Sequence, residues 1–189
     1  VWQDFLYSCM YYPDDDPDFV DRSQREAEFA VRRLRNHACV ALWCGNNENQ
    51  WLHQGRVERG EAADRCYGER IYHQTLPEVC DRLDPTRPYW PSSPFSAQND
   101  EDLNSQTSGD RHAWQVSILN EELEDRVDYA QYAGDRSSFV SEYGILAPPD
   151  VDSWERCLAP EELAYESDAW NWHRNGLEWR TPVAAAVEQ

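Results

Sequence analysis

Apolar residues along the chain cluster into short runs that stop at polar or acidic positions, with stretches of 3.6-residue periodicity between them. Cys39-Val40-Ala41-Leu42-Trp43-Cys44 is one such run, read as a strand buried on both faces, and Gly45 is expected to turn the backbone into Asn46-Asn47-Glu48. Before it, Ser23-Gln24-Arg25-Glu26 has the form of a capping box, and Ala27, Ala30, Val31 and Leu34 give the following helix one apolar face. Arg25, Arg32, Arg33 and Arg35 lie on the other face, and Asn36-His37 ends the helix. A helix running straight into a buried strand is the repeating unit of a parallel sheet.

The same alternation continues. A helical region is predicted over about 62–83, with Tyr67, Ile71 and Leu76 facing inward and Pro77 restarting the helix. Asp84-Pro85-Thr86-Arg87-Pro88 reads as a turn, Tyr89-Trp90 as a short strand, and Pro91-Ser92-Ser93-Pro94 as its polar end. Residues 96–110 lack periodicity and are rich in Asn, Asp and Ser, which suits a long surface loop, either shaping a pocket or idle. Arg111 to Val116 is the next predicted strand, and Leu119 to Tyr132 is mixed helix and loop. Ser137-Ser138-Phe139-Val140-Ser141-Glu142-Tyr143-Gly144 then repeats the first pattern, a β-prone run with a carboxylate at its end and a Gly behind it. At roughly 30 residues per βα unit, Glu48 and Glu142 stand about three strand-to-strand steps apart.

Composition narrows the possible chemistry. With 36 acidic residues against 17 basic, all of them Arg, the formal net charge is −19, so nucleic acid is an unsuitable partner. Acidity without Lys points to a high-salt cytoplasm, with codon bias as the competing explanation for the missing Lys; secretion stays open because the N-terminus looks incomplete. No run of about 18 apolar residues is present, which argues against a membrane-spanning helix. Six Cys show no C-x-x-C pair and no zinc spacing, so they are read as reduced, buried thiols, and no metal or other cofactor is expected. The acidic run Asp14, Asp15, Asp16 and Asp18 lacks a calcium-loop pattern and is read as solvated. Aromatic residues make up 13% of the chain, and Trp2 is either core filler or a sugar platform, as Asp4 is either a ligand contact or an anchor. His112 beside a carboxylate pocket suits donation to the nucleophile or to a sugar hydroxyl.

Paired strand-end carboxylates suit glycoside hydrolysis, one protonated as general acid and one ionised as nucleophile. A separation of about 5 to 5.5 Å would give retention of configuration and a wider one inversion. Trp43-Cys44-Gly45-Asn46-Asn47-Glu48-Asn49, Asp84 to Pro94, Gly109-Asp110-x-His112 and Ser141-Glu142-Tyr143-Gly144, in that order, resemble the catalytic barrel of β-mannosidases of glycoside hydrolase family 2. The resemblance implies an α/β fold, a partial TIM (β/α)8 barrel comprising roughly strands three to seven. Residues 1–149 would be barrel, with 150–189 a further part of the barrel region or a divergent tail. It further implies Glu48 as acid/base, Glu142 as nucleophile and Asn47 on the sugar 2-hydroxyl. His112 and Trp114 would line the mannose subsite, while Trp43 packs, Trp51 lies at the rim, and Tyr143 and Gly144 support the nucleophile.

The implied partner is an oligosaccharide or glycan ending in β-mannose, together with missing domains of the full-length chain, and neither nucleic acid nor membrane. A chain holding only these strands would be poorly stable or inactive alone. A noncatalytic carbohydrate-binding protein, or a related β-glucosaminidase or β-galactosidase, is the alternative, with a metal-dependent hydrolase a weak third.

Overall fold

The computed structural model describes residues 1–173 apart from 63, 99–101, 121, 145–148 and 165–166. It divides into two compact units, the first made of residues 1–112 and 136–141, the second of 113–135 and 142 onward.

In the first unit, β1 (Trp2–Asp4), β2 (Leu42–Cys44) and β3 (Tyr89–Trp90) form a parallel sheet in the order β1-β2-β3. Trp2 pairs with Leu42, Asp4 with Cys44, and Cys44 with Trp90. Parallel neighbours need a crossover between them. Helix α1 (Pro17–Leu34) supplies the first; α2 (Asn49–Glu58), a π-helical turn at Ile71–Thr75 and α3 (Leu76–Leu83) supply the second. The strands are shorter than the apolar runs suggest: β2 begins at Leu42, and Cys39 is exposed. The expectation of buried thiols holds for Cys44, Cys66 and Cys80 and fails for Cys9, Cys39 and Cys157, which are exposed.

Helix α1 starts six residues before the predicted capping box. Asp16 is its N-cap, accepting the N–H of Asp18, and Pro17 occupies the first turn, where its missing N–H costs nothing. Ser23 is therefore an interior residue of the buried face, with Val20, Ala27 and Val31. Asp14 is not solvated: its carboxylate is buried, pairs with Arg65 at 2.9 Å and accepts the N–H of Arg70. Tyr67 is exposed, whereas Ile71 and Leu76 are fully buried, as the periodicity requires. Ordered helix in this region begins only at Glu69.

The core gathers Phe5, Val31, Trp43, Ile71, Tyr72 and Leu76 between sheet and helices, with Phe5 stacked on Trp43 at 5.7 Å. Trp43 buries its ring completely and donates its indole N–H to Asp84 at 3.0 Å. Gly45 serves a close approach, and no turn: a Cβ there would stand 2.3 Å from the Tyr89 hydroxyl and 2.4 Å from the Pro91 carbonyl oxygen.

Asp84 also takes Arg87 through both carboxylate oxygens, at 2.9 and 2.7 Å, and the Thr86 hydroxyl at 3.2 Å. Burial pushes its carboxyl up, but the hydrogen bonds from Trp43, Arg87 and Thr86 outweigh burial and hold it below the ordinary aspartate value of 3.8. A depressed folded value makes the contribution to stability complete above pH 3.8, and that contribution is lost as pH falls through the lower folded value. Asp84→Ala strands the Trp43 N–H and the Arg87 guanidinium, and is expected to cost about 2–3 kcal/mol at neutral pH. Urea unfolding at pH 7 and at pH 3 measures it, and the wild-type advantage narrows at the lower pH.

Strand β4 (Arg111–Ala113) and β5 (Val140–Tyr143) make a second, two-stranded sheet. In the first unit, the Arg111 N–H donates to the Phe139 carbonyl at 3.1 Å, and the Phe139 ring stacks on Trp2 at 5.7 Å. Strand β4 ends at Ala113, short of the predicted Val116, because Trp114 leaves extended backbone.

In the second unit, a turn at Gln115–Leu119, with non-helical backbone at Val116 and Ser117, packs on α4 (Leu123–Val127), and a 3-10 turn follows at Tyr129–Gly134. The Tyr132 ring meets Tyr143 edge-on at 5.8 Å, and its hydroxyl accepts the Gly144 N–H at 3.0 Å. Helices α5 (Val151–Glu155) and α6 (Asp168–His173) complete this unit among the described residues. The tail from 174, Trp179 included, lies outside them.

Candidate active site

The segment after β2 is fixed by side-chain hydrogen bonds before it does any chemistry. Asn46, fully buried, accepts the N–H of Asn49 and the hydroxyl of Ser92 on one amide oxygen and donates to the Pro91 carbonyl at 2.9 Å. Asn49 donates to the Tyr72 hydroxyl at 2.6 Å and accepts the Met10 N–H at 3.0 Å. The main chain joins in: Asn47 N–H meets the Tyr7 carbonyl, and Glu48 N–H meets the Ser93 carbonyl at 2.7 Å. The ends of all three parallel strands are thus tied together through this one segment.

Glu48 sits at φ +63°, a left-handed conformation that a side chain with Cβ pays for, of order 1–3 kcal/mol. Such strain is kept only where the surroundings over-determine it. Here it lets Glu48 cap α2 while its carboxylate turns to His112, with Oε1 2.8 Å from Nδ1. The other carboxylate oxygen, Oε2, lies 3.5 Å from Cys9 Sγ. Cys9 is also left-handed, at φ +51°, and its thiol is pushed up, first by burial and then by the Glu48 charge, so it faces Glu48 as S–H.

His112 is completely buried in β4. Asn104 grips its backbone on both sides, accepting its N–H at 2.8 Å and donating to its carbonyl at 3.0 Å, and so clamps the histidine strand. Nε2 lies 2.8 Å from the Ser93 hydroxyl, and the Trp51 ring stands edge-on to the imidazole at 6.3 Å. Behind Ser93, Asp110 accepts its hydroxyl at 2.6 Å, the Ser141 hydroxyl at 2.6 Å, the Trp90 indole N–H at 2.8 Å and the Phe95 N–H at 3.0 Å.

Of the residues predicted for the site, Glu48 and His112 are therefore in direct contact. Asn47 holds Ser8 Oγ through its amide nitrogen at 3.3 Å, while its amide oxygen is enclosed without a hydrogen-bond partner. Trp2 and Asp4 bind each other, indole N–H to carboxylate at 2.8 Å, and Trp2 is half-buried under Phe139. Burial pushes the Asp4 carboxyl up, opposed by the Trp2 and Cys44 hydrogen bonds. In the second unit, Glu142 accepts the Trp114 indole N–H at 3.2 Å. Trp43 is a packing residue, as expected.

Sequence reasoning assigned no role to Ser93, Asp110, Ser141 or Cys9, although three of them stand at the ends of predicted strands or beside His112. The available signal was the alternate placement of Asp110 and His112 at the entry to β4.

The chain as a whole is similar to known proteins. Residues 1–186 match the family model described as glycosyl hydrolases family 2, TIM barrel domain. The chain is 34% identical over 168 residues to a beta-mannosidase B of Thermothelomyces thermophilus, covering 84% of this chain and 19% of that protein. It is 30% identical over 191 residues to a beta-mannosidase of Capra hircus, with coverage of 94% and 20%. The crystal structure of a beta-D-mannosidase from Dictyoglomus thermophilum superposes with a TM-score of 0.80 at 38% identity, over 99% of this chain and 22% of that one. The chain spans about a fifth of the length of the curated relatives it matches.

Proposed function

The chain belongs to the TIM barrel domain family of the family 2 glycosyl hydrolases, and from that premise we propose that it carries the chemistry of a retaining exo-glycosidase acting on terminal β-D-mannosides. Its parallel strands and crossover helices are those of a partial (β/α)8 barrel. The observation that carries the proposal is the Glu48–His112 pair at 2.8 Å, a carboxylate at the C-terminal end of a barrel strand with a proton partner of its own.

In this reading, the Glu142 carboxylate attacks the anomeric carbon as the glycosidic C–O bond breaks. Glu48 gives its proton to the departing oxygen. Water then attacks the glycosyl-enzyme, loses its proton to Glu48 and releases Glu142. The Trp114 N–H orients the Glu142 carboxylate for that attack. Asn47, directly before Glu48, is assigned the sugar 2-hydroxyl, where a hydrogen bond that strengthens in the transition state contributes most; its amide oxygen is enclosed, so the side chain must turn outward to make that contact. The names of the relatives support mannoside over its epimers.

The test is hydrolysis of aryl β-mannoside against the β-gluco and β-galacto epimers by the full-length protein that contains this chain, at low and high salt. Preferential cleavage of the mannoside is expected, and turnover of none of the three sinks the reading. The net charge of −19 without Lys leads us to propose a high-salt working environment. Rising activity from low to molar salt is the expected result, and equal activity at both would remove that inference.

A further inference from the structure

The hydrogen bonds behind His112 determine which of its nitrogens carries a proton. Asp110 is buried and receives four donors, the Trp90 indole N–H, the Phe95 N–H and the hydroxyls of Ser93 and Ser141, which fill the lone-pair sites of an ionised carboxylate. Ser93 has a single hydroxyl hydrogen, and its 2.6 Å contact with Asp110 Oδ2 takes it. Toward His112 the Ser93 oxygen is left only as an acceptor, so Nε2, 2.8 Å away, must be N–H. Nδ1 then faces Glu48 Oε1 in one of two ways: as the lone pair of a neutral ring accepting the proton of a carboxylic acid, or as N–H of an imidazolium donating to a carboxylate. Both descriptions place one proton between His112 and Glu48.

We propose that Asp110 and Ser93 are positioning residues that lock His112 with Nε2 protonated, so that Nδ1 shares with Glu48 the proton the acid/base delivers. The proposal rests on the reading of Glu48 as the acid/base. During glycosyl transfer the shared proton leaves on the departing oxygen, and it is replaced by the one Glu48 takes from the attacking water; Nε2–H is unchanged throughout. Without the lock, a neutral His112 is free to adopt the other tautomer, in which Nδ1–H donates to the Glu48 carboxylate and favours the state with no proton to give. Ionisable groups of the same unit that face this pair include Asp4, on β1, and the Cys9 thiol, and Asp4 accepts the Trp2 indole N–H.

The first experiment needs no substrate. Nitrogen NMR of the 15N-histidine-labelled protein, with the His112 signals assigned by their loss in His112→Asn, should show Nε2 protonated across neutral pH. A bare Nε2 in the wild-type protein overturns the proposal. The second is the pH profile of kcat/KM for an aryl β-mannoside in Ser93→Ala, which leaves Asp110 three of its four donors. The alkaline limb should fall by about one pH unit, and His112 should gain the Nδ1–H tautomer. An unmoved limb with Nε2 still protonated overturns the relay while leaving the glycosidase reading intact. Absence of any glycosidase activity in the wild-type full-length protein would defeat that reading instead, and the tautomer measurement would still decide the relay. If Ser93→Ala does not fold, the wild-type spectrum alone carries the test.

Discussion

Glu142→Ala is expected to lower turnover of an aryl β-mannoside by on the order of ten-thousandfold or more, with no comparable loss of folded protein. The reason is that Glu142 is assigned the bond-forming role, and no other group replaces a missing nucleophile. The structural cost is small by comparison: the Trp114 indole N–H loses an acceptor, worth about 1 kcal/mol. Azide offers a sharper check than activity loss. A small anion can enter the space vacated by the carboxylate, attack the anomeric carbon from the same side and restore turnover, giving an α-mannosyl azide. Recovery by azide with that anomeric configuration identifies Glu142 as nucleophile. Undiminished activity in Glu142→Ala removes the assignment altogether. The wild-type product, followed by proton NMR at early time, should be the β-anomer of mannose, and an α-anomer would make Glu142 a general base acting on water.

The two carboxylates assigned to this chemistry were legible as a pair: each ends a β-prone run, and although either alone reads as an ordinary polar turn, two of them about three strands apart suit one cleft. Glu48 was legible through its partner Glu142 and His112 only through its neighbours, and the structure puts Glu48 and His112 in contact. What escaped notice was the apparatus between them. Ser93, Asp110 and Ser141 come from the ends of separate elements, and a Ser or an Asp in such a position looks like ordinary turn chemistry until the folded chain brings the oxygens to 2.6 Å. The start of α1 was misplaced for a related reason. Asp16-Pro17 and Ser23-x-x-Glu26 are both good helix starts, and local pattern alone does not show that Ser23 is covered by the core. Gly45 was correctly singled out but for the wrong cause, since its requirement comes from Tyr89 and Pro91, some forty-five residues away in sequence. Local signals found the strand ends; long-range contacts decided what each residue there does.

The second large effect is expected at Glu48, and its size should depend on the substrate. With a poor leaving group such as a sugar alcohol, Glu48→Ala should lower kcat/KM by about a hundred- to ten-thousandfold, because the departing oxygen must leave without a proton. With a strongly activated aryl group that leaves unaided, bond cleavage should be nearly normal, and the deficit should move to hydrolysis of the glycosyl-enzyme, visible as a burst of released phenol. The alkaline limb of the pH profile should vanish for either substrate. A loss that is equal for both leaving groups would show that Glu48 acts other than as an acid. Stability separates this role from a structural one. Position 48 is left-handed at φ +63°, so Glu48→Gly should be more stable than Glu48→Ala by about 1 kcal/mol while being no more active. The strain at this residue would then be recoverable as stability only by giving up the carboxylate that the fold holds against His112.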